Sequence, residues 1–92
     1  MAPGDSDALW ATRDISRTDV DQVRRWARHQ TDAWGVPPSH VAHWLMTAGE
    51  LLAPSETGRV ELSYDAGLGL LSLDVWCGGR RLYGMDDWVS WP

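Results

Sequence analysis

The chain has 92 residues, of which 43% are hydrophobic and 23% charged, with a formal net charge of −5 and a single cysteine. One domain of this size buries only about 60% of the surface its unfolded form exposes, which leaves room for a modest core and little for an elaborate enzyme site. The acidic balance argues against a general role on nucleic acid or on an anionic membrane, and no run approaches the roughly 20 apolar residues that span a bilayer.

Lys, Asn and Phe are absent, Ile occurs once, and all eight positive side chains are Arg. The missing residues have AT-rich codons, so the Arg bias is expected from a high-GC source rather than from phosphate binding. Seven Trp supply the aromatic bulk that Phe would otherwise provide, and some of them are expected at the surface. The start, Met1 to Trp10, has neither the basic segment nor the apolar segment of a secretory signal. Cys77 has no partner for an internal disulfide, and a free thiol suits a reducing compartment, so the expected location is cytoplasmic.

In chain order, residues 1–7 are rich in Gly, Pro, Ser and Asp and are expected to fray. Ala8 to Ile15 alternates weakly, with Leu9 and Ala11 on one side and Trp10 and Thr12 on the other, as an edge strand would. Thr18 followed by Asp21 resembles a capping box, and Val20, Val23, Ala27, Gln30, Thr31 and Trp34 step round a helical stripe, predicting a helix from about Asp19 to Trp34. Gly35 stands where a left-handed helix terminator is expected, and Pro37-Pro38 precedes Ser39, the expected N-cap of a second helix that Pro54 cuts off. Its face of Val41, Trp44, Leu45, Ala48 and Leu52, widened by Met46 and Leu51, predicts the buried helix of the pair.

Val60, Leu62 and Tyr64 alternate with Glu61 and Ser63. After the turn chemistry of Asp65-Ala66-Gly67, Leu71, Leu73, Val75 and Cys77 oppose Ser72, Asp74 and Trp76. This predicts a β-hairpin with one face for the helices. The remainder, Gly78 to Pro92, fits no regular element well and is expected to be a Trp-rich tail from residue 80 onward. The predicted architecture is therefore a single α+β domain over 1–92, two helices on a small antiparallel sheet. The expected core is Trp26, Trp34, Trp44, Leu45, Ala48, Leu52, Val60, Leu62, Leu71, Leu73 and Val75.

A short strand, an Arg-rich helix ending Ala33-Trp34-Gly35-Val36, a helix ending Gly49-Glu50-Leu51-Leu52 and two antiparallel strands resemble the histidine-kinase-like (GHKL) ATPase domains of actinobacterial anti-sigma-factor kinases. The likeness covers roughly Leu9 to Gly79. It implies that Glu50 matches the family's water-positioning Glu, but Pro54 stands where the family has a Mg²⁺-holding Asn, and proline offers no side-chain oxygen. Cys77-Gly78-Gly79 stands where an adenine-reading Asp and a Gly are expected, so only Gly79 matches. No glycine-rich phosphate loop or ATP lid follows. The resemblance thus implies a degenerate, truncated member without nucleotide chemistry.

Other chemistry is weakly signalled. His40 and His43, with His29 or Asp32, would make a thin metal set, and Cys77 reads as a small buried hydrophobe rather than a nucleophile. Arg17, Arg24, Arg25 and Arg28 read as a salt-bridged solvent face, because Asp21 precedes Arg25 by four and Asp32 follows Arg28 by four. No catalytic residue, cofactor or metal site is assigned.

The expected partner-binding residues are Tyr83, Met85, Trp88, Val89 and Trp91, since aromatics and Met are enriched in interface cores. The expected function is a non-catalytic protein-interaction or regulatory module, as a homodimer or with a protein partner, and without nucleic acid or membrane. The alternatives are a ribosomal peptide precursor whose core follows Gly79, and a small accessory subunit of an enzyme or small-ligand binder.

Overall fold

The computed structural model describes residues 8–89. Residues 1–7, expected to fray, and 90–92, which include the expected partner residue Trp91, lie outside the described part. Strand β1 (Ala8–Ser16) is followed by helices α1 (Val20–Ala33) and α2 (Val41–Leu51), then strands β2 (Thr57–Asp65), β3 (Leu70–Cys77) and β4 (Arg80–Trp88). The strands form one antiparallel sheet in the order β1-β2-β3-β4, so sheet order equals chain order and the helical pair is inserted between β1 and β2. This is the expected α+β two-layer arrangement. No helix among the described residues is long and apolar enough to cross a membrane.

The helix ends follow from local chemistry. At the end of α1, Gly35 takes φ 70°, the Val36 N–H reaches the Thr31 carbonyl at 2.9 Å and the Gly35 N–H reaches that of Asp32 at 3.1 Å. These paired bonds satisfy carbonyls that the helix leaves open, and the left-handed residue has no Cβ to clash. The N-termini differ from expectation by one residue and in mechanism. Asp19, not Thr18, precedes α1, and its carboxylate accepts the Ser16 N–H at 2.7 Å instead of capping the helix. Likewise His40, not Ser39, precedes α2, with no side-chain cap.

Alternation decides the two faces of the sheet. Ile15, Val60, Leu62, Leu71, Leu73 and Val75 share the inner face and are fully buried; sequestering each such side chain is worth about 1.5–3 kcal/mol. Against them α1 places Val23, Ala27 and Thr31, and α2 places Val41, Trp44, Leu45 and Ala48, each set at helical spacing. Trp26 and Trp34, expected in the core, pack against it half-buried. Met46 and Leu51 do not widen the buried face of α2; they are 45% and 49% exposed. The two helices meet closely at Gly49, where an added Cβ would overlap the Val20 side chain.

Residues 80–88 are a regular strand rather than a tail. Gly78 and Gly79, at φ 59° and 76°, form the two-residue turn of a β3–β4 hairpin, a turn that demands positive φ at both central positions. Leu82 is an extra residue between the pairs Val75↔Tyr83 and Trp76↔Arg81, a bulge that breaks the alternation. Gly84 and the Asp86-Asp87 pair further hide the strand signal. Val89 then closes the core, its N–H bonded to the Gly69 carbonyl at 2.8 Å.

Candidate protein-docking face

The helices cover one face of the sheet, and the opposite face carries the most exposed aromatic surface among the described residues. Antiparallel register places Trp10, Ser63, Ser72 and Asp86 in one row across the sheet, with Asp65, Leu70 and Trp88 in the next. Trp10 on edge strand β1 is 61% exposed and Trp88 on edge strand β4 is 67% exposed. Between them lie Ser63, Ser72, Asp65, Leu70 and Asp86. Three inter-strand spacings separate the two edges, about 14 Å, so the indoles bound a shallow trough wide enough for an extended segment or a helix. Trp76, 37% exposed, lies on the same face two rows away from Trp10 and beside Arg59.

The trough is acidic. Arg81 crosses above Gly84 to pair with Asp74, and a Cβ at Gly84 would overlap its guanidinium, so the absence of a side chain there permits the crossing. Arg59 donates from Nε to the Thr12 hydroxyl at 2.8 Å. Arg59 keeps its charge, but Asp14, Glu61 and Asp86 make no ion pair among the described residues, so carboxylates outnumber guanidiniums on this face.

Of the residues expected to bind a partner, Trp88 lies on this open face. Tyr83 and Met85 point to the inner face, where Tyr83 packs half-buried against the core and Met85 stays 42% exposed at the sheet edge. Val89 is a core residue, 7% exposed, and is removed from the surface set. The pairing of β4 with β3 explains this, since a strand divides consecutive side chains between two faces where a tail would offer them all. Trp10 and Trp76 were absent from the expected set. Their signal was legible as alternation, each lying opposite the apolar positions of its strand.

The remaining candidate chemistry does not assemble. Glu50 is exposed on α2, and the Cys77-Gly78-Gly79 segment is a strand end and a hairpin turn. His29, His40 and His43 are exposed, and no group of three metal-binding side chains occurs among the described residues. Cys77 is half-buried rather than buried; its thiol faces Glu56 Oε2 at 3.6 Å and the Thr57 carbonyl at 3.8 Å. Desolvation, then the Glu56 charge and hydrogen bond, push its pKa above the ordinary thiol value despite Arg80, the reverse of what a thiolate nucleophile needs. The expected Asp21–Arg25 and Arg28–Asp32 pairs do not form; Asp21 instead meets Arg24 at 3.4 Å. Comparisons with protein-family models, curated proteins and solved structures found no match to this chain.

Proposed function

We propose that this protein is a non-catalytic interaction module that holds a basic segment of a partner protein against the open face of its sheet. The observation that carries the proposal is the placement of Trp10, Trp76 and Trp88 on a face that no element among the described residues covers. Large exposed aromatics are the side chains that anchor interface cores. The carboxylates of Asp14, Glu61 and Asp86, unpaired among the described residues and lying between and beside the indoles, select a partner carrying Arg or Lys, whose cation also stacks on Trp.

Descent from an anti-sigma-factor type of ATPase domain belongs to the same proposal. What supports it is the strand, two helices and hairpin in the order the resemblance implies; Pro54 and Cys77, at positions where the chemistry would need an Asn and an Asp, bear only on the loss of nucleotide chemistry. A cytoplasmic setting is part of the proposal and rests on the free thiol. The peptide-precursor alternative is disfavoured, because residues after Gly79 form a strand of the sheet and contribute Val89 to the core.

The test is affinity capture from the native host by the full chain and by a Trp10→Ala/Trp88→Ala variant whose circular dichroism is unchanged. Loss of a stoichiometric partner in the variant, with weaker binding in high salt, supports the proposal. Equal recovery by both proteins sinks it. Concentration-dependent sedimentation that the variant abolishes assigns the face to a second copy of this chain instead.

A further inference from the structure

We infer that the helical layer carries a separate binding site, a groove for a small organic oxyanion consisting of a carboxylate or phosphate monoester on a compact apolar body. The groove runs between α1 and the segment that leads into α2, with a volume of about 600 Å³, within the range of small-molecule sites. Arg24, Arg25 and Arg28 project into it from successive turns of one helix face.

Local ion pairing does not explain these guanidiniums. Arg25 and Arg28 have no carboxylate partner among the described residues, and Arg24 makes one long contact to Asp21 while its Nε is buried without an acceptor. The exposed guanidiniums of Arg25 and Arg28 are thus left free to meet an oxyanion in the groove. Guanidinium matches carboxylate and phosphate oxygens through paired, parallel donors. The uncapped start of α2 opens onto the same groove through Ser39, Val41 and Ala42, adding backbone N–H groups and the positive end of an 11-residue helix.

Two features narrow the ligand. Val36, Pro37, Pro38 and Val41 form an apolar wall that suits a hydrocarbon or aromatic body and does nothing for a bare ion. Asp21 and Asp32 also border the groove, and their charge repels a polyanion such as nucleic acid or a nucleoside triphosphate. One oxyanion group beside an apolar body satisfies both.

The experiment titrates the full chain with phenyl phosphate, benzoate, inorganic phosphate and benzylamine, following melting temperature and amide ¹H–¹⁵N shifts. Either aromatic anion, at about ten times its Kd, should raise Tm by roughly 7 °C and perturb Thr31, Val36 and Ser39. The tighter of the two identifies the preferred headgroup. Inorganic phosphate should bind at least about tenfold more weakly, and Arg25→Gln/Arg28→Gln should lose about tenfold or more in affinity for the aromatic anion while Arg59→Gln loses none. The site is refuted by no shift with either aromatic anion, by equal affinity in the double variant, or by benzylamine or inorganic phosphate binding as tightly. Both substituted Arg are exposed, so folding of the variant is checked simply by its unchanged spectrum.

Discussion

The two faces of one sheet behave oppositely although the same four strands build them. The centre of the inner face is lined by aliphatic side chains of moderate size that pack to zero exposure under the helices; the outer face holds the bulkier Trp10, Trp76 and Trp88 in water. If hydrophobicity alone placed side chains, the indoles would be inside. They are outside because strand alternation turns positions 10, 76 and 88 away from the helices, whereas Trp44, on the inward side of α2, is buried. Aromatic area that the fold does not use is what an interaction surface requires.

The sharpest way to break the comparison is to truncate one residue on each face. Leu73→Ala, deep in the inner face, should cost about 2–5 kcal/mol in urea unfolding, whereas Trp88→Ala on the outer face should stay within about 0.5 kcal/mol. A large loss at Trp88 would mean that the outer face is structural and not free for a partner.

Next in size is the contact that lets the inner face be covered at all. Gly49→Ala pushes α2 against Val20 and should destabilise by about 1–3 kcal/mol. In a double-mutant cycle, Val20→Ala should recover part of that loss. No recovery would show that the helices are held apart by something other than this crossing.

The β3–β4 turn tests whether the outer edge depends on local backbone conformation. Gly79→Ala at φ 76° should cost about 1–2 kcal/mol, and faster amide exchange should be confined to β4 and Val89. Uniform acceleration across the sheet would instead show that β4 is indivisible from the core.

On the outer face itself, Arg81→Ala removes the partner of Asp74, and since both side chains are substantially exposed its effect should stay within about 1 kcal/mol and shrink in salt. The smallest effect concerns Cys77. Its folded pKa is raised above the unfolded one, so the native state holds the proton more tightly. The associated stability is fully present below the ordinary thiol pKa and is lost as pH rises from there through the higher folded value. A shallow alkaline decline in stability that Cys77→Ser removes would confirm the sign.

Most of the fold was legible from local signals. The alternation of Val60, Leu62 and Tyr64 and of Leu71, Leu73 and Val75, the Gly35 terminator and the helical spacing of Val23 and Ala27 each act within a few residues, so the chain states them directly. The fourth strand was not legible, because Leu82 shifts the period, Gly84 removes a side chain from it, and adjacent Asp86 and Asp87 read as loop. The docking face was half legible: Trp88 was expected on the surface and Trp76 opposite the apolar side, but Trp10 sat in a weak strand, and its place in a shared trough requires knowing that β1 and β4 are the two edges.

By itself, then, the sequence determined the α+β class, the helical pair, the central hairpin and the inner-face residues of β2 and β3, because these rest on periodicity and on turn chemistry. Only the tertiary structure decided that residues 80–88 complete the sheet, that Val89 is core, that Asp21 pairs with Arg24 while Arg25 and Arg28 stay unpaired among the described residues, and that the exposed indoles share one face. Those outcomes depend on register and on side-chain reach between segments far apart in the chain, which spacing along the chain does not encode.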